Sequence, residues 1–268
     1  SYRKAMEIQE RLGLEQDAAV AYHQLGRVAQ ERQQYDLAEE WWRKALEIFE
    51  RLGLERYAAN DYHQLGMVAE ERERYDLAEE HYWKALGIRE RLGLERDAAT
   101  DYHQLGIVAQ HRHQYDLAEQ WYRKALEISE RLGLERDAAA DYHHLGTVAE
   151  DRQQYDLAEQ WYTKAMEVHE RLGHPPDQVN TLAQLGVLRM RQERHDEAVS
   201  WLGRALAIAA QHNMSVTGRV LTVLARLIKE MGEEKFQQAW QRAFEGQEPP
   251  LAALREILAK LEGSLDPG

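Results

Sequence analysis

A stretch of about forty residues returns almost unchanged along the chain, and this repetition limits the fold more than any other feature. Its clearest copy is DAATDYHQLGIVAQHRHQYDLAEQWYRKALEISERLG, residues 97–133. Related copies begin at Asp17, Tyr57 and Asp137, and a more divergent copy begins at Asp177. Repetition at this period predicts an array of identical supersecondary units, each stacked on its neighbours.

Each copy contains two segments in which apolar residues recur at spacings of three and four. Ala98, Tyr102 and Leu105 do so in the first segment. The second segment shows the same spacing over a longer set: Leu117, Ala118, Trp121, Tyr122, Ala125, Ile128 and Leu132. Such spacing places the apolar side chains on one face of a helix, and neither segment alternates as a strand would. Each unit is therefore predicted to be a helical hairpin that buries its apolar face only by stacking.

The ends of these helices also have sequence signals. Asp116, followed by Glu119, predicts an N-terminal cap for the second helix with acidic residues in its first turn. The same pair stands at 36/39, 76/79 and 156/159. Gly133 and its counterparts follow the second helix, where a left-handed C-terminal residue is expected.

The residues of the unit resemble those of a known family. Tyr102-x2-Leu105-Gly106, followed by Ala118-x3-Tyr122-x2-Ala125, is similar to the tetratricopeptide repeat signature, and the resemblance covers roughly residues 1–212. It implies an all-α fold, a right-handed α-α superhelix of antiparallel helix hairpins, in which the glycine lets two helices approach closely. The unit is about six residues longer than usual for the family. The family's glycine between the helices is also replaced, which predicts a helical or differently bent turn, at Gln33, Glu73, His113 and Gln153.

Three regions follow from the repeat pattern. Residues 1–13 match the end of a second helix and are predicted to be the remnant of a truncated repeat. Residues 14–212 form five tandem repeats of forty residues, and residues 213–268 form a degenerate repeat and a C-terminal capping helix. The start inside a unit favours a fragment of a longer protein. An open first repeat would expose apolar surface and predicts end-to-end association between copies of the chain.

Composition narrows the function classes. The net charge of -13 argues against nucleic-acid binding, which needs basic surface. The sequence has no cysteine, so disulfides and thiolate metal sites are excluded, which is consistent with a cytoplasmic location. No apolar run reaches the ~20 residues of a membrane span, and no signal peptide is visible. No phosphate-binding glycine loop or Ser-His-Asp constellation is present, so we expect neither an enzyme nor a cofactor.

Comparison of the copies shows where a binding surface would lie. In the first helix, Tyr22, Leu25 and Gly26 have near-identical counterparts in the other copies. Other positions change between copies and lie on a single stripe opposite the apolar face. We call them the variable stripe: Asp17/Tyr57/Asp97/Asp137, Val20/Asn60/Thr100/Ala140, Gln24/Gln64/Gln104/His144, Arg27/Met67/Ile107/Thr147 and Glu31/Glu71/His111/Asp151.

In proteins that resemble this family, the first helices line a concave groove that holds an extended peptide or a partner helix. The variable stripe would then be the groove wall, and the partner a protein or an extended peptide. The alternative is a solvated surface that drifts between duplicated copies. The predicted partner-binding residues are Asn60, His63, Gln64, Met67, Glu70, Thr100, His103, Gln104, Ile107, Gln110, His143, Thr147, Glu150 and Val187.

Three further series recur once per repeat. The histidines His23, His63, His103 and His143 are predicted to bond to the neighbouring repeat; peptide contact or metal binding are the alternatives. A metal is disfavoured because we see no cysteine and no well-placed carboxylate to complete its shell. The tryptophans at 41, 121, 161 and 201 are predicted to pack in the core. Position Phe49/Arg89/Ser129/His169 varies near the core face, and only an overhanging helix end suggests itself as a reason.

Together these features predict a non-catalytic scaffold that binds a protein or peptide in the groove. Two other hypotheses remain open. The array could be the sensor or regulatory arm of a larger NTPase or protease, or it could assemble with itself through its open end.

Overall fold

The computed structural model describes residues 14–263, with side chains to residue 261, and within this range every regular element is an α-helix. The predicted remnant at residues 1–13, and with it the open end for self-association, lies outside the described residues. The helices are α1 (Glu15–Glu31), α2 (Tyr35–Arg51), α3 (Glu55–Glu71), α4 (Tyr75–Arg91), α5 (Glu95–His111), α6 (Tyr115–Arg131), α7 (Glu135–Asp151), α8 (Tyr155–Leu172), α9 (Pro175–Arg191), α10 (His195–Gln211), α11 (Thr217–Met231), α12 (Glu233–Ala243) and α13 (Leu251–Gly263).

Consecutive helices from α1 to α10 pack in pairs as hairpins, so the all-α prediction is confirmed for the described residues. The chain divides into two units, Ser1–Leu134 and Glu135–Gly268. In the first unit, α1–α6 form three hairpins. In the second, α7–α10 form two hairpins, and α11–α13 follow them. Each unit is described by itself below.

The two helices of a hairpin approach closely because a glycine of the first lies under an aromatic ring of the second. A Cβ atom added to Gly106 would lie 2.6 Å from the ring of Tyr122, which is fully buried. Gly66 has the same relation to Tyr82. Gly106 therefore has the role expected from its place in the repeat signature.

Both kinds of turn use a left-handed residue. Gly53 has φ +67° in the turn after the second helix, as predicted. The turn inside the hairpin has the same conformation at Gln33, with φ 57°, so the expected helical or differently bent turn is wrong. The cause is a shared hydrogen-bond pattern: the Gln34 N–H donates to the Ala29 carbonyl at 2.9 Å, as the Leu54 N–H donates to the Phe49 carbonyl at 2.8 Å. This pattern closes the C-terminus of a helix whichever residue is left-handed.

The sequence predicts a cap and an acidic first turn for the second helix. An acidic residue does lie in the first turn of α2, at Asp36, but the predicted cap is wrong. Helix α2 begins at Tyr35 after Gln34, with no side-chain cap hydrogen bond. Asp36 and Glu39 instead accept hydrogen bonds from Arg72 of the next repeat, at 2.6 and 2.9 Å. The pair therefore ties neighbouring repeats together, and Asp76 and Glu79 contact Arg112 in the same way: 3.1 and 2.6 Å.

The second unit ends in a core that the repeats alone do not form. Phe236 of α12 and Leu254 of α13 are fully buried with residues of α10 and α11. The C-terminal helix thus covers α11 with a face that carries Leu251, Leu254, Ile257 and Leu258. None of the described helices is both long enough and apolar enough to cross a membrane.

Candidate functional site

The variable stripe lies on the accessible side of the first helices in both units. Arg27 is exposed, and Met67, Ile107 and Thr147 are half-buried, whereas the neighbouring Val68 is buried. Among the predicted partner-binding residues, Thr100 is exposed, and the half-buried ones are Asn60, Gln64, Met67, Glu70, His103, Gln104, Ile107, Gln110, His143, Thr147 and Val187. The remaining two, His63 and Glu150, are buried, for reasons given below.

Three of the predicted binding residues are tied to the buried tyrosine of their own hairpin. The Tyr82 hydroxyl donates to a Glu70 carboxylate oxygen at 2.9 Å. Gln110 accepts from Tyr122 at 3.1 Å, and Glu150 accepts from Tyr162 at 2.8 Å. Desolvation raises the pKa of both Glu70 and Glu150 above the ordinary value. These side chains satisfy buried hydroxyl groups, which limits what they can offer to a partner.

The histidine series contacts the neighbouring repeat in the first unit. His23 Nδ1 lies 2.6 Å from Asp61 Oδ1, and His63 Nδ1 lies 2.8 Å from Asp101 Oδ1. Asp61 and Asp101 are fully buried, so in both cases the histidine bonds to the neighbouring repeat, as predicted. Sequence reasoning missed these two aspartates because each lies 38 residues beyond its histidine. Their signal was an aspartate at a position that is Ala21 in the first repeat.

Burial of the aspartates has an electrostatic consequence. Desolvation raises the pKa of Asp61 to about 6, and the hydrogen bond and charge of His23 act in the opposite direction. The structure offers no group of three or more histidines, aspartates or glutamates placed to hold a metal ion between residues 14 and 261. Paired histidine and carboxylate therefore serve as inter-repeat contacts in the described first unit.

The unexplained position Phe49/Arg89/Ser129/His169 is buried in all four repeats, so an overhanging helix end is not the reason for its variation. In the first unit, Phe49 and Arg89 lie at the junction between their own repeat and the next. Phe49 stacks on Tyr57 of the variable stripe, with ring centroids 5.1 Å apart. Arg89 donates to Asp101 Oδ1 at 2.5 Å and to Asn60 Oδ1 at 3.2 Å. In these two repeats the position thus varies together with the stripe residue that it contacts.

The recurring tryptophans pack beside the tyrosines of the first helices. Trp41 stacks on Tyr22 at 5.5 Å between centroids, and Trp121 stacks on Tyr102 at 5.7 Å. Lys124 Nζ lies 4.9 Å from the Trp121 centroid, within the range of a cation–π contact. These contacts agree with a packing role.

Comparison with known protein families agrees with the repeat pattern of the sequence. The tetratricopeptide repeat family model matches residues 17–91, 56–131, 96–171 and 136–211. No curated protein matches the chain in sequence.

Solved structures share the fold. BtubC (BKLC) from P. vanneervenii is 25% identical with a TM-score of 0.70, over 80% of this chain and 90% of that one. The apo form of RapI is 18% identical with a TM-score of 0.71, over 97% and 90%. PH0952 from Pyrococcus horikoshii, a STAND protein with a tetratricopeptide repeat sensor, is 17% identical with a TM-score of 0.76, over 98% of this chain and 41% of that one. With its hairpins, its signature residues and four overlapping matches to the family model, the chain belongs to the tetratricopeptide repeat family.

Proposed function

We propose that the chain is a scaffold that binds a protein or an extended peptide on the variable stripe of its first helices. One observation carries the proposal. Along the first helix of each repeat, the positions of the variable stripe differ among repeats and are accessible, whereas invariant positions beside them are buried. Met67 and Ile107 differ and are half-buried, while the glycines beside them are invariant and buried. Packing constrains the buried positions, so the surface that is open to selection for a partner is the stripe.

The chemistry of the stripe in the first unit suits an extended segment. Met67 and Ile107 supply apolar contact, and methionine adapts its shape to different partners. Gln64 and Gln104, one helical turn before them, carry amides that can both donate to and accept from a peptide backbone. Single apolar residues are common on protein surfaces, but Met67 and Ile107 stand at equivalent positions of adjacent repeats, each one helical turn after a glutamine. This combination supports peptide binding over drift.

The test is a pair of substitutions, Met67→Glu and Ile107→Glu, in the intact chain. Partners are captured from a lysate of the source cells on the wild-type chain and identified by mass spectrometry. We expect the double variant to lose at least one captured protein by about tenfold or more, because buried carboxylates cost several kcal/mol at an apolar contact. Both side chains are half-buried and Met67 packs against the core, so the melting temperature should fall modestly while the helical circular dichroism signal stays unchanged.

A matched control keeps the added charge and moves it elsewhere. Gly87 and Gln120 are exposed on second helices of the same unit, so Gly87→Glu with Gln120→Glu adds the same two charges. The control variant should retain every captured protein. Capture that is unchanged in the stripe variant, or lost equally in both variants, contradicts the proposal.

The second candidate is a sensor or regulatory arm of a larger protein. The repeat region of PH0952 is a sensor in a chain of which this one covers 41%, although at 17% identity the two share the fold alone. Determining the complete reading frame tests this proposal: an attached NTPase or protease domain would support it, and a frame without further domains would exclude it.

A further inference from the structure

A pocket of 270 Å³ opens between the fourth and fifth repeats of the second unit. Residues of α7, α8 and α9 line it, among them Asp137, His143, His169, Asp177 and Asn180. His169 is 4% exposed, and its Nδ1 atom has no hydrogen-bond partner. A buried polar atom without a partner calls for a structural explanation, and the comparison with the equivalent junction of the first unit supplies one.

The equivalent junction in the first unit shows what this place accommodates. Arg89 stands at the position of His169, is 5% exposed, and fills the junction between the second and third repeats. Its guanidinium donates to the Asp97 carbonyl at 3.1 Å, to Asp101 Oδ1 at 2.5 Å and to Asn60 Oδ1 at 3.2 Å. The chain thus supplies its own cation at this junction.

The second unit changes the side chains that hold and supply that cation. Ala140 stands in place of Asn60, Thr181 in place of Asp101, and the shorter His169 in place of Arg89. Thr181 Oγ1 donates to the Asp177 carbonyl at 3.0 Å and so turns toward its own helix. The volume that a guanidinium takes in the first unit is therefore pocket in the second.

We propose that this pocket binds a cationic side chain of the partner, in the form of an arginine guanidinium. The acceptors among its lining residues are the carboxylates of Asp137 and Asp177 and the Asn180 amide. The Asp177 carboxylate also lies 2.9 Å from His174 Nδ1 and 3.5 Å from Arg136 Nε, whereas no ion pair is seen for Asp137 among the described residues. That the arginine belongs to a bound partner rests on the proposed function, whereas the preference of the pocket for a guanidinium does not. Delocalised and weakly hydrated, a guanidinium is the cation best suited to such a partly buried site.

Electrostatics favour a cation over an anion here. Burial and the neighbouring His169 lower the pKa of His143 to about 4, and burial lowers the pKa of His169. Both rings are therefore neutral at pH 7. The charged and titratable groups that face them from α7, α8 and α9 and the turn before α9 are Arg136, Asp137, His144, Tyr162, His174 and Asp177. At neutral pH this set holds one cation against two carboxylates.

The test titrates Nα-acetyl-arginine N-methylamide into the full chain at pH 7 and follows the imidazole nitrogens by ¹H–¹⁵N correlation spectroscopy. We expect saturable shifts of the His143 and His169 resonances at millimolar probe, the range for a single side chain. The uncharged citrulline analogue should shift them at least tenfold more weakly. Binding of the arginine probe should weaken as the pH is lowered, because protonated histidines repel it.

Two variants separate loss of the site from loss of the fold. His169→Arg, combined with Ala140→Asn and Thr181→Asp, rebuilds the filled junction of the first unit and should abolish probe binding. Asp137→Asn removes one exposed carboxylate without filling the pocket and should weaken binding severalfold. Thr163→Arg, which adds a cation at an exposed position of α8, should bind the probe as the wild type does.

The proposal is overturned if acetate shifts the same resonances while the arginine probe does not. It is also overturned if no probe shifts them at concentrations up to roughly 10 mM. It is also overturned if the rebuilt junction binds as before. These readouts involve a small molecule and the second unit, whereas the stripe variants lie in the first unit. Either proposal can therefore fail while the other stands.

Discussion

Glycine at position 106 is required by a contact with an aromatic ring rather than by its backbone. It lies within a helix, where glycine costs about 1 kcal/mol relative to alanine. The ring of Tyr122 lies across it so closely that even a methyl group would meet ring atoms at 2.6 Å. The close approach lets the tyrosine be fully buried while its hydroxyl reaches Gln110.

Gly106→Ala should therefore destabilise the chain although alanine favours helices. We expect a loss of about 1–3 kcal/mol in the free energy of unfolding, since ring and backbone must move apart. The matched control is Gly87→Ala, also within a helix but with nothing within 4 Å of an added Cβ, which should stabilise by about 1 kcal/mol. Urea unfolding of both variants measures the contrast, and equal effects would refute the packing explanation.

Residue-level prediction from the sequence succeeded where the signal was local and failed where it was not. Spacings of three and four identify the buried Tyr102 and Leu105 without any structure. The contact of His23 with Asp61 joins residues 38 positions apart, and no local spacing reveals it. Arg89 looked anomalous because a charged residue stood on an apolar face. Its partners in the next repeat resolve the anomaly.

Turns between helices show the same limit at the scale of the element. The turn at Gly53 was predicted because glycine itself signals a left-handed residue. The turn at Glu73 has the same conformation, with φ 57°, but its residue type gives no such signal. Hydrogen bonding decides the turn here: the Arg74 N–H donates to the Ala69 carbonyl at 2.8 Å. Hydrogen bonding at the helix end therefore holds Glu73 in the left-handed region, which non-glycine residues disfavour.

Glu73→Gly should stabilise the first unit. A left-handed non-glycine residue costs about 1–2 kcal/mol, and the entropy lost by glycine offsets about 0.5–1 kcal/mol of that gain. The expected net gain is about 0.5–1 kcal/mol, measured by urea unfolding. Gly53→Ala is the converse change at a turn with open space around it and should cost about 1 kcal/mol. A loss of stability in Glu73→Gly would mean that its side chain, and not its backbone, determines the turn.

At the scale of the whole molecule, stability in a repeat array is approximately a sum over repeats and their junctions. The two units differ in the ionisable groups they bury at those junctions. In the first, Asp61 is a buried carboxyl whose pKa is raised from 3.8 to about 6. In the second, His143 is a partly buried imidazole whose pKa is lowered from 6.5 to about 4. Acid should therefore affect the two junctions in opposite directions.

A raised carboxyl pKa means that the folded state holds the proton more tightly than the unfolded state. The contribution of Asp61 to stability is therefore fully present below pH 3.8 and is lost as the pH rises through 6. For His143 the folded state holds the proton less tightly, so its contribution is present above pH 6.5 and is lost as the pH falls through 4. Each change amounts to about 2 kcal/mol between pH 4 and 7.

Because the two effects cancel in the wild-type chain, substitutions are needed to separate them. At each pH the free energy of unfolding of Asp61→Asn is subtracted from that of the wild type. This difference should be about 2 kcal/mol larger at pH 4 than at pH 7. The corresponding difference between the wild type and His143→Gln should be about 2 kcal/mol smaller at pH 4 than at pH 7. Native-state hydrogen exchange, read by mass spectrometry on peptides from each unit, assigns each effect to its own junction. Two differences of the same sign would show that burial at these junctions does not control the titration, because desolvation acts oppositely on an acid and a base.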